Sequence, residues 1–542
     1  MTTMAFPRPL ILVAAVAAGV LSSASTAALA APSAPRQGPG QVNVAQQAAN
    51  RAWQAFEARA AARAHPHAVP ATAAQQSTAT TAATTATATA TASQSGTITN
   101  VESISRDTLP SLSTEIEPDT ETEPAVAIDP GNPRIMTAVV QEGRNAPFGG
   151  TADLGYATSH DGGRTWTDGN YPSLTTVVGG PFQLASDAVS AFGPDGSDYI
   201  ESIAFDETDA RSAVTVQRST DGGIKFGAPS LVTDDNNVNV FNDKDWITVD
   251  TSRRSPFEGR IYVMWARFIT TGTGASAVTH SPGALSFSDD HGKTWSPIHF
   301  MTPQSDDDQG FLPLIHKDGS VTIVYDHFVP NPGNPNLGND YETAQTSHDG
   351  GLTWSKPVTI GQFLGSEVPG MRTGGLPAAA IDPVTGNMYA VWQDTRFNPA
   401  GLNDIVLSVS KDGGARWSAP RAVSPEAPGL DRFTPAVAAD AGVVHITYGT
   451  RADSGAAPTA SEDYIASADG GKTFGNERQV GPPIVLQWAT VSDEAPPPVA
   501  FLGDYLGLAA TPSSAEMVWS VASQPPAGEL YHQTMWGATI TR

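Results

Sequence analysis

From Thr97 onward the chain is written in short apolar runs separated by Gly-, Asp- and Pro-rich punctuation, the pattern of many short strands. The runs recur in a fixed order. A first apolar run spans residues 124–128, 188–192, 246–249, 311–315, 377–381 and 435–438. A turn follows, such as Asp-Pro-Gly-Asn at 129–132, and then a second run at 135–139, 199–204, 261–265, 321–325, 388–392 and 444–448. A loop and a third strand complete each repeat, so the expected unit is a four-stranded antiparallel sheet.

Each third strand ends in nearly the same eight residues, S-x-D-x-G-x-T-W/F. The copies begin at Ser159, Ser219, Ser288, Ser347, Ser410 and Ser467. Their aspartates, Asp161, Asp221, Asp290, Asp349, Asp412 and Asp469, are 60, 69, 59, 63 and 57 residues apart. A motif recurring at that period marks repeated supersecondary units. The aspartate can accept from the backbone amides ahead of it, and glycine supplies the positive φ of a tight turn. The aromatic residue is expected to plug an apolar gap between units.

These six copies resemble the Asp-box, or BNR, repeat of sialidase-like β-propellers of the secreted bacterial type. The resemblance covers about Glu121 to Trp536. A seventh set of strands, at 505–509, 516–521 and 531–536, follows the last box and lacks a box of its own. The run at 97–104 can supply its fourth strand. The expected fold is therefore all-β: a seven-bladed propeller of four-stranded antiparallel blades over residues 97–542, with six blades as the alternative.

The N-terminal region reads differently. Arg8 precedes an apolar run from Leu10 to Leu21 and an Ala-Leu-Ala site at 28–30, the layout of a secretory signal peptide over residues 1–30. The run is too short to span a membrane. Residues 31–96 form an Ala/Thr-rich tail or linker with a possible short helix carrying Trp53 and Phe56. The mature protein is thus expected to be secreted and monomeric. The chain has no cysteine, so thiol chemistry and disulfides are excluded, and its formal charge of −25 disfavours nucleic acid and anionic membranes as partners. The acidic runs 234–237 and 306–308 offer oxygen ligands for calcium without a regular binding loop. No other cofactor is implied.

In a propeller, residues just before the first strand and just after the second gather on one rim, opposite the boxes. Those positions hold Glu121, Glu123, Ser186, Asp187, Asp243, Lys244, Asp245, Gln309, Arg372, Asp431, Arg432 and Asp504 before the first strand. After the second they hold Glu142, Arg144, Asp206, Arg267, Asp326, His327, Asp394, Arg396 and Arg451. Guanidinium groups match carboxylates in two-point contacts, and carboxyls serve as acid and base. We single out Asp504, Tyr505, Asp394 and Asp245 as catalytic candidates, and Arg267, Arg396, Arg451, Arg372 and Trp246 as substrate-binding candidates. The resemblance implies a tyrosine nucleophile, an acid/base aspartate and three arginines around a substrate carboxylate. The chain departs from that pattern. The family's Phe/Tyr-Arg-Ile-Pro motif is missing, its nearest text being Pro-Arg-Ile-Met at 133–136, and the neighbour of Tyr505 is Asp504. The expected function is that of a glycan-active protein, a sialidase-like glycoside hydrolase. A non-catalytic glycan- or protein-binding propeller, or a polysaccharide lyase using His327 or Tyr505 as base, stands as the alternative.

Overall fold

The computed structural model describes residues 96–107, 109, 116–145, 149–207, 209–273, 276–331, 334–452, 457–492 and 499–542. The expected signal peptide, tail and short helix lie outside these residues. Among the described residues the regular structure is β, apart from two single 3₁₀ turns at Thr176–Val178 and Leu486–Trp488.

The strands pair into antiparallel groups along the chain, some joined into a larger sheet and one carrying a fifth strand, Val278–His280. The second unit is representative: Leu184–Phe192, Asp198–Phe205, Arg211–Ser219 and Ser230–Asn236 pair in order, each antiparallel to the next. The last unit consists of Gly507–Ala510, Ser514–Ala522 and Gln533–Thr541. Its fourth strand is Thr97–Ser103, which pairs antiparallel with Gln533–Thr541. The first strands neighbour one another in sequence order. Ile116–Ile128 lies against Leu184–Phe192, which lies against Val240–Val249. The series continues through Asp307–Ile315, Ala378–Ile381, Leu430–Asp440 and Gly507–Ala510, and the last contacts Ile116–Ile128.

Six buried apolar clusters fill the spaces between units. The largest draws on three successive units and contains Phe205, Trp265 and Tyr325. Trp265, Trp392 and Trp519 are almost fully enclosed; truncating any one to alanine would cost about 3–5 kcal/mol.

The repeated octapeptide forms one turn six times over. In the first copy the Ser159 hydroxyl donates to Asp161 and accepts the Gly163 amide at 2.9 Å. Asp161 also takes the amides of Arg164 and Thr165 and the Thr165 hydroxyl. These donors hold the Asp161 carboxyl down at about 2 although it is exposed. The second glycine is required for two reasons. Gly163 has φ +78°, and an added Cβ would lie 2.6 Å from Thr539 Oγ1 in the last unit. Gly223 and Gly351 rest on the unit before theirs in the same way. The aromatic residues take the expected place: Trp166, Trp295, Trp354, Trp417 and Phe474 are half-buried against the clusters, and Phe226 lies within one.

One expectation needs correction. The rim residues are not loops outside the strands. In five units the first strand runs on through them, across a β-bulge: Ile116–Ile128, Leu184–Phe192, Val240–Val249, Asp307–Ile315 and Leu430–Asp440 each show a register shift there. Every bulge carries a residue with positive φ: Glu123 (55°), Asp187 (56°), Lys244 (50°), Gly310 (69°) and Thr434 (46°). Four of the five are not glycine. Each such conformation carries about 1–3 kcal/mol of strain. A bulge re-aims the side chains that follow it, so the strain is spent in turning rim residues toward the space between first strands.

Candidate functional site

The first strands line a cavity of 360 Å³ whose walls are mostly apolar and also include Lys244, Trp246, Asp504 and Tyr505. The bulges gather polar groups there. Glu123 on Ile116–Ile128 accepts the Gln141 amide and the Asp504 backbone N–H, the latter at 3.1 Å. Gln141 also donates to Ser186 at 3.0 Å, and Ser186 donates to Asp187 at 2.6 Å. Arg372 makes a two-point ion pair with Asp504, its Nε 3.0 Å from Oδ1. Arg372 and Arg144 each stand 4.8 Å from the Phe501 ring. The parallel pairing of Met371–Arg372 with Ala500–Phe501 fixes that arrangement.

Lys244 is the central cation. It is buried, and its ammonium lies 3.7 Å from the centroid of the Tyr505 ring and 5.1 Å from that of Trp246. Its Nζ finds no hydrogen-bond acceptor among the described residues. The Tyr505 and Trp246 rings meet edge to face at 5.7 Å.

The carboxyls titrate abnormally. Burial raises Glu123 well above the usual carboxylate range, and the charges of Asp187 and Asp504 add to the effect. Asp243, half-buried beside them, is pushed up to about 7 by desolvation and then by Asp187, while a 3.2 Å bond from Gln309 and the charge of Arg372 oppose the rise. Glu201 and Asp245, on adjoining units, are both raised strongly, first by burial; Asp245 adds to the rise of Glu201, whereas a hydrogen bond from Glu201 opposes the rise of Asp245. Burial and the surrounding carboxylates raise Tyr505 well above 10, so it holds its proton. Its hydroxyl donates to the Ala188 carbonyl at 3.5 Å. The site can therefore supply a proton near neutral pH, an ion-paired carboxylate, two aromatic faces and a buried cation.

Of the residues singled out from sequence, the structure brings together Asp504, Tyr505, Arg372, Trp246 and Asp245. The other four have partners nearer home. Arg267 is clamped by Asp235 at 2.6 and 2.7 Å and by Asn242. Arg396 pairs with Asp394 and donates to the Gln362 carbonyl at 2.8 Å. Asp394 also accepts the Trp392 indole N–H. Arg451 donates to the carbonyls of Pro369 and Ala457. Arg432 is buried between Asp404 and Glu477. Trp265 is core, its indole N–H donating to Asn242 at 2.8 Å.

Sequence reasoning placed Glu123, Asp187, Asp243 and Lys244 on the rim without choosing them. The text did hold a signal for this group. Glu201 interrupts an apolar strand, Tyr-Ile-Glu-Ser-Ile, where a charge is not expected unless something faces it.

Two of the six boxes, residues 286–297 and 345–356, match the BNR/Asp-box repeat family. Those two segments are BNR/Asp-box repeats, as the octapeptide pattern implied. No curated protein matches it. Among solved structures it is similar to a protein of unknown function from Dyadobacter fermentans (13% identity, 66% of this chain and 95% of that one, TM-score 0.44). It is also similar to a Hadza microbial sialidase (13%, 74% and 73%, TM-score 0.43). A third similar structure is an α-L-arabinofuranosidase of Fusarium graminearum (12%, 82% and 98%, TM-score 0.41).

Proposed function

We propose that this chain is an exported glycan-active protein, built as a seven-bladed propeller of four-stranded blades, that hydrolyses glycosidic bonds where the bulges meet the cavity between the first strands. The blade count draws support from the seven neighbouring first strands and from Thr97–Ser103 serving the last unit. Export draws on the signal-like text of residues 1–30.

The observation that carries the catalytic reading is the meeting of Asp243, Asp504 and Arg372 beside Lys244, Trp246 and Tyr505. Glycosidases divide the acid role and the charge-stabilising role between two carboxyls. Asp243, titrating at about 7, is the proton donor to the departing sugar oxygen. Asp504, held by Arg372, faces the positive charge that develops at the anomeric carbon. Trp246 and Tyr505 offer faces for a sugar ring. Asp394, Arg267, Arg396 and Arg451 serve the architecture of the rim, given the partners they already have. Asp308 accepts a hydrogen bond from His327 and, with its charge, raises the proton affinity of that imidazole, which weighs against His327 as the base of a lyase.

The test is turnover by residues 31–542 on a sialoside reporter and a polysaccharide panel, with Asp243→Asn, Asp504→Asn and, as a rim control, Arg396→Ala. Loss in the first two with activity kept in the third supports the assignment. Full activity in both aspartate variants sinks it. A second reading, glycan capture without turnover, draws on the depth of the site, since Asp504 and Tyr505 are each only 8% exposed. Saturable binding without product from any substrate would favour it.

A further inference from the structure

Outside the cavity, the fourth unit assembles a second group of chemistry-bearing side chains. Its first strand is Asp307–Ile315 and its second Val321–Asn331, with Asp308 directly opposite His327. Asp306 leads into that strand from a turn and comes beside Asp308, while Asp307 faces away from them. The contacts agree. Asp307 pairs with His280 at 3.0 Å, while Asp308 Oδ1 lies 2.6 Å from His327 Nδ1. One donor atom each from Asp306, Asp308 and His327 falls within 4.8 Å of the others. The backbone there is pinned on its outer side as well, because Ser281 donates to the Asp306 carbonyl and accepts from the Asp308 amide, both at 3.1 Å.

Within this group one feature calls for a ligand. The Asp308 side chain is wholly buried, yet its Oδ2 has no hydrogen-bond partner among the described residues. An unmatched buried carboxylate oxygen is costly unless a proton donor or a cation meets it. Asp306 and His327 are half-buried, which leaves an approach from solvent.

We infer that Asp306, Asp308 and His327 bind a divalent transition cation. Two carboxylates and one imidazole suit Zn²⁺ or Mn²⁺ better than Ca²⁺, which prefers oxygen alone. Three protein ligands leave coordination positions for water. Metal ligands of these types bind in their deprotonated forms, so the ion competes with protons for the site. The next residue, Gln309, reaches Asp243 at 3.2 Å, so a cation here would steady one wall of the cavity. The binding itself stands independently of any glycan chemistry.

The experiment is calorimetric titration of chelator-treated full-length protein with ZnCl₂, MnCl₂ and CaCl₂ in turn, at pH 6 and pH 8. One equivalent of Zn²⁺ or Mn²⁺ is expected to bind, more tightly at pH 8. His327→Gln and Asp306→Asn should each weaken it about tenfold or more, and Glu258→Gln, on the exposed surface, should leave it unchanged. Asp306 is half-exposed, so its variant keeps the test open if a change at His327 unfolds the unit. Absence of saturable binding by any of the three salts, binding unaltered in both ligand variants, or tighter binding of Ca²⁺ than of the other two would each overturn the assignment.

Discussion

Glu516 offers a direct measurement of what a buried carboxyl does to this fold. It lies on Ser514–Ala522 and is fully enclosed. Burial raises its pKa from 4.5 to about 8, helped slightly by the charge of Glu102 and opposed by Thr539. The folded protein therefore keeps a proton that the unfolded chain releases above about 4.5. Stability falls where the folded state binds more protons than the unfolded state. The contribution is fully present below pH 4.5, shrinks by about 1.4 kcal/mol per pH unit, and is gone above pH 8. The whole span is about 4–5 kcal/mol. Glu516→Gln preserves the shape and removes the titration. Denaturant melts at pH 5 and pH 8.5 should show the variant close to the parent at pH 5 and more stable by several kcal/mol at pH 8.5. Taking the difference between the two proteins cancels the other raised carboxyls, Glu121 and Asp198 among them. An equal pH response in both proteins would refute the reasoning, as would a variant that is the weaker one at pH 8.5.

Two further outcomes follow from the geometry. Gly162 and Gly163 have nearly the same φ, +79° and +78°, but an added Cβ meets open space at the first and Thr539 and Glu516 at the second. Gly162→Ala should cost about 1 kcal/mol of backbone strain, and Gly163→Ala about 1–3 kcal/mol more from the clash; matched denaturant melts check the difference. If Asp243 is the proton donor, kcat/KM falls as pH rises past about 7, and Asp243→Asn loses that limb together with about 10²–10⁴ in rate. A pH–rate profile that keeps its alkaline limb in the variant counts against the role.

The repeats made most of the architecture legible. The six octapeptides located the third and fourth strands, and the apolar runs located the first and second. Even the strand that serves the last unit, more than four hundred residues upstream, could be read from its pattern. What could not be read was the reach of the first strands through the rim. Bulges at Asp187 and Lys244 put non-glycine residues at positive φ, which local propensity argues against. The arginines were opaque for another reason. Arg267, after a second strand, and Arg372, before a first, both fall on the rim, yet the first is held by Asp235 from the fourth strand of the preceding unit and the second by Asp504 from far along the chain. Which acid claims which guanidinium depends on pairings between units, and spacing along one chain does not encode them.

The partnership of Thr97–Ser103 with Gln533–Thr541 sets an order of events during synthesis. Thr99 and the Thr539 carbonyl it bonds are 440 residues apart. Trp166, in the first octapeptide, likewise packs beside Val518 and Met535. On the ribosome, the earliest part of this domain must wait, edge uncovered and apolar side exposed, until nearly all the rest has emerged. An unpaired strand edge is a template for other chains. The interval before that late partner arrives is when the nascent protein is most open to association with its neighbours, and shielding it then would matter more to yield than any gain in the finished molecule.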